Sequence, residues 1–306
     1  MTEDAPQSEL SREESDTEAP EAALPVIPPF EPRRLERELA TDLALRWGAV
    51  IAAVAALVGI YSLFDANVVT LGVLALAAAV GVWLVLNLSS ARISRELPQL
   101  AAMVEAEPQH AEPRIAELLR TRPLLGWVRL MLYDRLAGLR HRQQRFDESL
   151  AICAAVLRHR LGPARHARAH LLLMLAEAAL ERGDLVSAYH ALHQLHHMRV
   201  SLIEALQRLA LQTRYEVTCG YHDSALARHH QKIQLAEIMP TPQCGAMHAI
   251  LATAATQTHQ RELADWLWRR AELLCTPEQL SELQAGGFGT GIVAAAQEGV
   301  DRSDMG

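Results

Sequence analysis

Lysine is almost missing from this chain of 306 residues: of its 29 basic residues only Lys232 is one, a bias that points to a GC-rich, bacterial coding genome and carries no functional meaning. Aromatics make up 5% of the chain and 16 glycines with 14 prolines about a tenth, which excludes a β-sandwich rich in Val, Thr and Tyr and a collagen-like chain. No CxxC pair occurs among Cys153, Cys219, Cys244 and Cys275, so a disulfide framework is excluded and the cysteines suit a reducing compartment. There is no GxSxG, no P-loop, no HExxH and no kinase motif set, so no enzymatic activity and no cofactor are expected. What remains is the composition of helices, with 50% hydrophobic and 21% charged residues.

Charge is unevenly spread. Residues 1–32 hold nine acids against Arg12 alone, a net −8 out of −7 for the whole chain, which leaves the rest at about +1. A near-neutral body without a basic surface is not expected to bind nucleic acid. The same 32 residues carry six of the prolines and few large apolar side chains, so they read as a disordered acidic, Pro-rich tail. Within it, Leu24–Pro32 favours a polyproline II segment. A stiff spacer between tail and membrane is the simpler reading, and a docking motif displaying Val26, Ile27 and Phe30 the other.

Charge is absent altogether from residues 47–64 and 68–88, runs of 18 and 21 residues separated by Asp65, Ala66 and Asn67. At about 1.5 Å per residue they reach roughly 27 and 31 Å, the thickness of a hydrocarbon core. The expectation is a juxtamembrane helix over 33–46 and a transmembrane hairpin in the lipid bilayer; the runs lie too far in, and follow each other too closely, for a cleavable signal. Small residues four apart, Gly48, Ala52 and Ala56 on the first span and Ala77 and Gly81 on the second, are the expected packing positions. Neither span contains an ionisable group, which argues against a channel or pump. Arg33, Arg34, Arg37 and Arg46 precede the first span, Arg92 and Arg95 follow the second, and none lies in the turn, so both termini are expected in the cytoplasm of a bacterial inner (plasma) membrane.

Beyond connecting helices over 89–124, apolar residues recur at three- and four-residue spacing between short turns, and four helix pairs align over 125–285. Tyr133, Leu136 and Ala137 precede Phe146, Ser149, Cys153 and Val156. Leu172, Leu175, Ala176 and Ala179 precede Ala188, Leu192 and Leu195. Leu209, Thr213 and Gly220 precede Ala225, and Leu251, Ala252 and Ala255 precede Ala264, Trp268 and Ala271. The small residues at 149, 188, 225 and 264 are 39, 37 and 39 apart.

Residues 125–275 resemble the tetratricopeptide repeat family: Arg145–Leu150 is similar to the start of a family second helix, and Glu181-Arg182-Gly183-Asp184 to the family turn. The period exceeds the family's usual repeat of about 34, which implies lengthened helices and an irregular superhelix. The third pair departs most, with Thr213 and His229 at positions that are normally apolar or small. The resemblance implies an all-α chain in which the membrane hairpin is followed by a TPR-like α-solenoid of about four helix pairs, a protein-binding scaffold whose first helices line a concave groove. Groove positions would be Asp134, His141, Arg142, His170, Glu177, Gln207 and Arg214. Protein partners are expected, a small-molecule substrate is not. The lysine clamp of the chaperone-binding subgroup is lacking, since Lys232 falls on a second helix.

All 14 histidines lie between His110 and His259. His190, His193 and His197 share one helical face and could ligate a metal, with His166 and His170 a second pair four apart, so a metal-responsive membrane regulator is the alternative function. Without a neighbouring Cys or acid, solvated histidines on a repeat surface are the simpler expectation, with no metal bound. The Gly-rich end, 286–306, follows a helix rather than a strand and reads as a flexible tail.

Overall fold

The computed structural model describes residues 30–64, 68–120 and 126–284, and apart from turns every element in them is helical. In order these are α1 (Pro32–Phe64), α2 (Val68–Ala106), α3 (Pro108–Arg120), α4 (Gly126–Arg142), α5 (Phe146–Leu157), α6 (Ala167–Glu181), α7 (Leu185–His196), α8 (Leu202–Thr218), α9 (His222–Leu226), α10 (His229–Ala236), α11 (Thr241–Gln257), α12 (Arg261–Leu274) and α13 (Pro277–Gln284). The all-α class is therefore correct. The Gly-rich end, the turn at 65–67 and nearly all of the acidic tail lie outside the described residues.

Local geometry explains why the chain folds back four times at nearly equal intervals. Gln144, Gly183, Gly220 and His259 all have a left-handed backbone, with φ of 57°, 73°, 78° and 61°, and they are 39, 37 and 39 residues apart. After each, the next backbone N–H bonds a carbonyl five residues back: Arg145 to Arg140 and Asp184 to Ala179 at 2.8 Å, Tyr221 to Glu216 at 2.8 Å, Gln260 to Ala255 at 2.9 Å. That is a Schellman closure, which satisfies carbonyls the helix end would otherwise leave bare. Five residues past each left-handed position comes the small residue that lets the second helix approach the first: Ser149, Ala188, Ala225 and Ala264, all buried. Ser149 also donates its hydroxyl to the Ala137 carbonyl of α4 at 3.1 Å.

The first helices then stack side by side, α4 on α6, α6 on α8 and α8 on α11, with α5, α7, α9 and α12 against them. Being flanked by neighbours, α6 buries Leu171 to Ala176 without a break, and α11 buries Met247 to Ala252 likewise. The third pair is the irregular one. Its second helix is split into α9 and α10 at Arg228, whose φ is 57°. Lys232 reaches back across the break to the Ala225 carbonyl at 2.7 Å. Thr213 is buried there with its hydroxyl donated to the Leu209 carbonyl at 2.8 Å, so the polar group at a normally apolar position is satisfied within its own helix.

At the N-terminal side the expected juxtamembrane helix and first apolar run form one helix, α1, and the second run continues without a break to Ala106 as α2. One helix among the described residues, over Pro32–Ala56, is long and apolar enough to cross a membrane. The expected packing positions need correcting: Gly48, Ala52, Ala56, Ala77 and Gly81 are exposed, and a Cβ added at Gly48 or Gly81 would meet nothing within 4 Å. Four-residue spacing sets a common face but not which face a neighbour takes. What joins α1 to the helical array is Arg129 of α4. It and Asp42 are both 2% exposed and paired at 2.7 Å, while Glu38, one turn earlier on α1, accepts from Arg129 at 2.6 Å and from the Tyr133 hydroxyl at 2.7 Å. Arg140, three turns along the same face of α4, holds Glu112 of α3 and Glu148 of α5, each at 3.0 Å.

Because two of the four turns place a side chain where glycine is unstrained, Gln144→Gly and His259→Gly are each expected to raise stability by about 0.5–1 kcal/mol, and Gly183→Ala to lower it by about 1 kcal/mol. Thermal unfolding of the full-length protein in detergent checks the signs. Destabilisation by both glycine substitutions would mean that those side chains make contacts worth more than the backbone strain.

Candidate functional site

Each stacked helix turns one stripe of side chains to the same side, at the spacing that a 3.6-residue turn requires. From α4 come Met131, Asp134, Gly138, His141 and Arg142; from α6, His170, Leu173, Met174 and Glu177, with His166 at its N-cap; from α8, Glu204, Gln207, Leu211 and Arg214; from α11, Gln243, Ala246 and Ile250. The lower part of α2 closes one wall with Ala101, Val104 and Glu105. Together they enclose a cavity of about 490 Å³, within the range of ligand or side-chain pockets. All seven positions expected from the repeat register, Asp134, His141, Arg142, His170, Glu177, Gln207 and Arg214, line this one cavity.

Its charges are not equivalent. Glu177 lies 3.5 Å from the His141 Nε2, and although burial works against its ionised form, His141, Arg214 and His170 together hold its carboxyl below the usual range. Arg214 donates to Glu181 at 2.8 Å, and its side chain is 7% exposed. Glu204 closes a capping box with Ser201 at the start of α8. Asp134 differs from these. It is buried, neither of its oxygens has a hydrogen-bond partner, and Arg135 stands 3.8 Å away, beyond bonding distance. Burial pushes its carboxyl above the usual range, offset only in part by His170, Arg135 and His166.

Chemically the cavity offers an apolar wall with convergent charged groups. Among the described residues that line it there is no serine, threonine, cysteine or lysine. The other histidine face does not converge. His193 stacks on Tyr189 with ring centroids 5.8 Å apart and meets His197 edge-on at 4.8 Å, and among the described residues no group of three or more His, Cys, Asp or Glu is placed to hold a metal ion, His190, His193 and His197 included. The α2 wall, Arg135 and the clamp residues Glu38, Asp42, Arg129 and Arg140 were not anticipated. Two acids four apart just before an apolar run were the available signal for the clamp, but their partner lies some 90 residues on.

The chain matches no protein-family model, no curated protein and no solved structure.

Since the folded state holds Asp134 above its unfolded value, folding takes up a proton as pH falls through the folded value, and wild-type stability rises there. Asp134→Asn lacks this response and removes a buried charge. It is expected to be more stable than wild type at neutral pH by roughly 1 kcal/mol, an advantage that shrinks on acidification. Melting temperatures of both proteins across that pH range test this; a less stable variant at neutral pH would mark Asp134 as part of the structural core.

Proposed function

We propose that the protein is a membrane-tethered protein–protein interaction scaffold without catalytic activity of its own, which captures a partner in the cavity between its stacked first helices. In this reading α1 and the upper part of α2 form a two-span hairpin in a bacterial inner membrane, with both termini and a TPR-like solenoid in the cytoplasm. Tethering acts by raising the partner's effective concentration near other membrane proteins. The observation that carries the reading is the convergence of the seven repeat-register positions on a single cavity.

Further support comes from the four Schellman turns and four small crossing residues at one pitch, which are what stacked helical repeats require. Large apolar side chains left exposed on both N-terminal helices, Trp47, Ile51 and Val54 on α1 and Val73, Leu76 and Leu84 on α2, fit a lipid environment better than water. The arginines flanking the charge-free runs support the orientation.

A photo-crosslinking amino acid in place of Gln207, inside the cavity, is expected to yield a discrete crosslinked protein in cells, while the same group in place of Val186, exposed on α7 away from the cavity, yields none. A product from position 186 alone would move the partner surface to the outer helices and overturn the reading.

A further inference from the structure

Among the carboxylates around the cavity, Asp134 stands apart because it is buried with no donor at hydrogen-bonding distance from either oxygen. Glu177 faces His141 and Arg214 is bonded to Glu181, whereas both Asp134 oxygens are without a hydrogen bond. The titratable and charged groups that interact with it are Arg135 on its own helix at 3.8 Å, His170 on α6 and His166 at the α6 N-cap, and the Cys153 thiol on α5. A buried carboxylate in this condition is costly unless something brings it donors. The adjoining void is large enough to admit them, and its wall of Met131, Leu173 and Met174 is apolar.

The donor group that fits is a cation on an apolar stem. A guanidinium matches better than an ammonium, because its planar fork addresses two carboxylate oxygens at once and neither accepts a hydrogen bond here, while its methylenes can lie along the methionines and leucine. We propose that the cavity recognises an arginine side chain carried on an apolar peptide segment of the partner, with the guanidinium seated on Asp134. This rests on the reading of the cavity as the partner site. It also explains why a chain would keep a carboxylate whose neutral isostere packs in the same space: the free protein gives up stability at this point, and the bound partner restores it.

The test is selection from a random dodecapeptide display library on full-length protein in nanodiscs, using wild type, Asp134→Asn and a cavity-filling Gln207→Trp, with thermal melts to establish that both variants fold. Wild type is expected to enrich peptides with an arginine flanked by apolar residues. Replacing that arginine by glutamine in a selected peptide is expected to weaken binding to wild type by about tenfold or more, with little change toward Asp134→Asn. If enriched peptides carry no basic residue, or bind Asp134→Asn as tightly as wild type, while Gln207→Trp abolishes their binding, the arginine proposal is overturned and the cavity remains the partner site. If Gln207→Trp leaves every enriched peptide bound, or no peptide is enriched, the partner site itself is lost and the proposal with it.

Discussion

A buried guanidinium, that of Arg129, is the point at which the apolar N-terminal helix and the repeat array become one body. Glu38 and Asp42 stand one turn apart on α1, so both reach the same side, and Arg129 takes both. The pair with Asp42 is fully shielded from water. Such a pair adds little net stability against an apolar substitute, but removing one partner leaves an unmatched buried charge. Its value is directional: hydrophobic contacts between α1 and α4 could slide, whereas a two-carboxylate clamp fixes register. Through Arg140 the same face of α4 also holds α3 and α5, so the position of the first repeat is set by ion pairs and those of the later repeats by turns.

From that anchored first pair the array propagates by local rules. A left-handed residue ends each first helix, a Schellman closure redirects the chain, and a small residue five positions on lets the second helix lie close. Since every unit repeats the geometry, the first helices face the same way and their inward stripes merge into one cavity. The lower turns of α2 complete it, which makes the helix that continues the second apolar run part of the cavity wall. Under the proposed function, a partner held there would sit against the helix that continues the second apolar run.

Most of this was legible in the residues. The pitch of 149, 188, 225 and 264 locates the pairs, because it depends on local spacing, and the resemblance to the tetratricopeptide repeat family supplied the seven positions that line the cavity. The Arg129 and Arg140 clamps were not legible, since all but the Arg140–Glu148 pair join residues from 28 to 91 positions apart and the four-residue spacing of Glu38 and Asp42 does not say which cation they meet. The split of the third pair left a faint trace in His229, which lies one residue past the left-handed Arg228. The stripe of Gly48, Ala52 and Ala56 was read as a packing face on spacing alone and turned outward. The contrast between two acids was invisible too: Asp134 and Glu177 look alike in sequence, and only the structure shows that burial raises the one carboxyl while His141, Arg214 and His170 lower the other.

If the clamp fixes the array to the apolar N-terminal helix, the distance between the two is single-valued. Spin labels at Leu43→Cys on α1 and Ile203→Cys at the start of α8, both exposed positions, would read it by pulsed electron resonance in nanodiscs with the half-buried Cys219 and Cys275 replaced by serine. One narrow distance distribution is the result expected of a rigid body. A broad or multi-peaked distribution in the otherwise native protein would contradict it, and would leave the cavity to swing freely relative to α1.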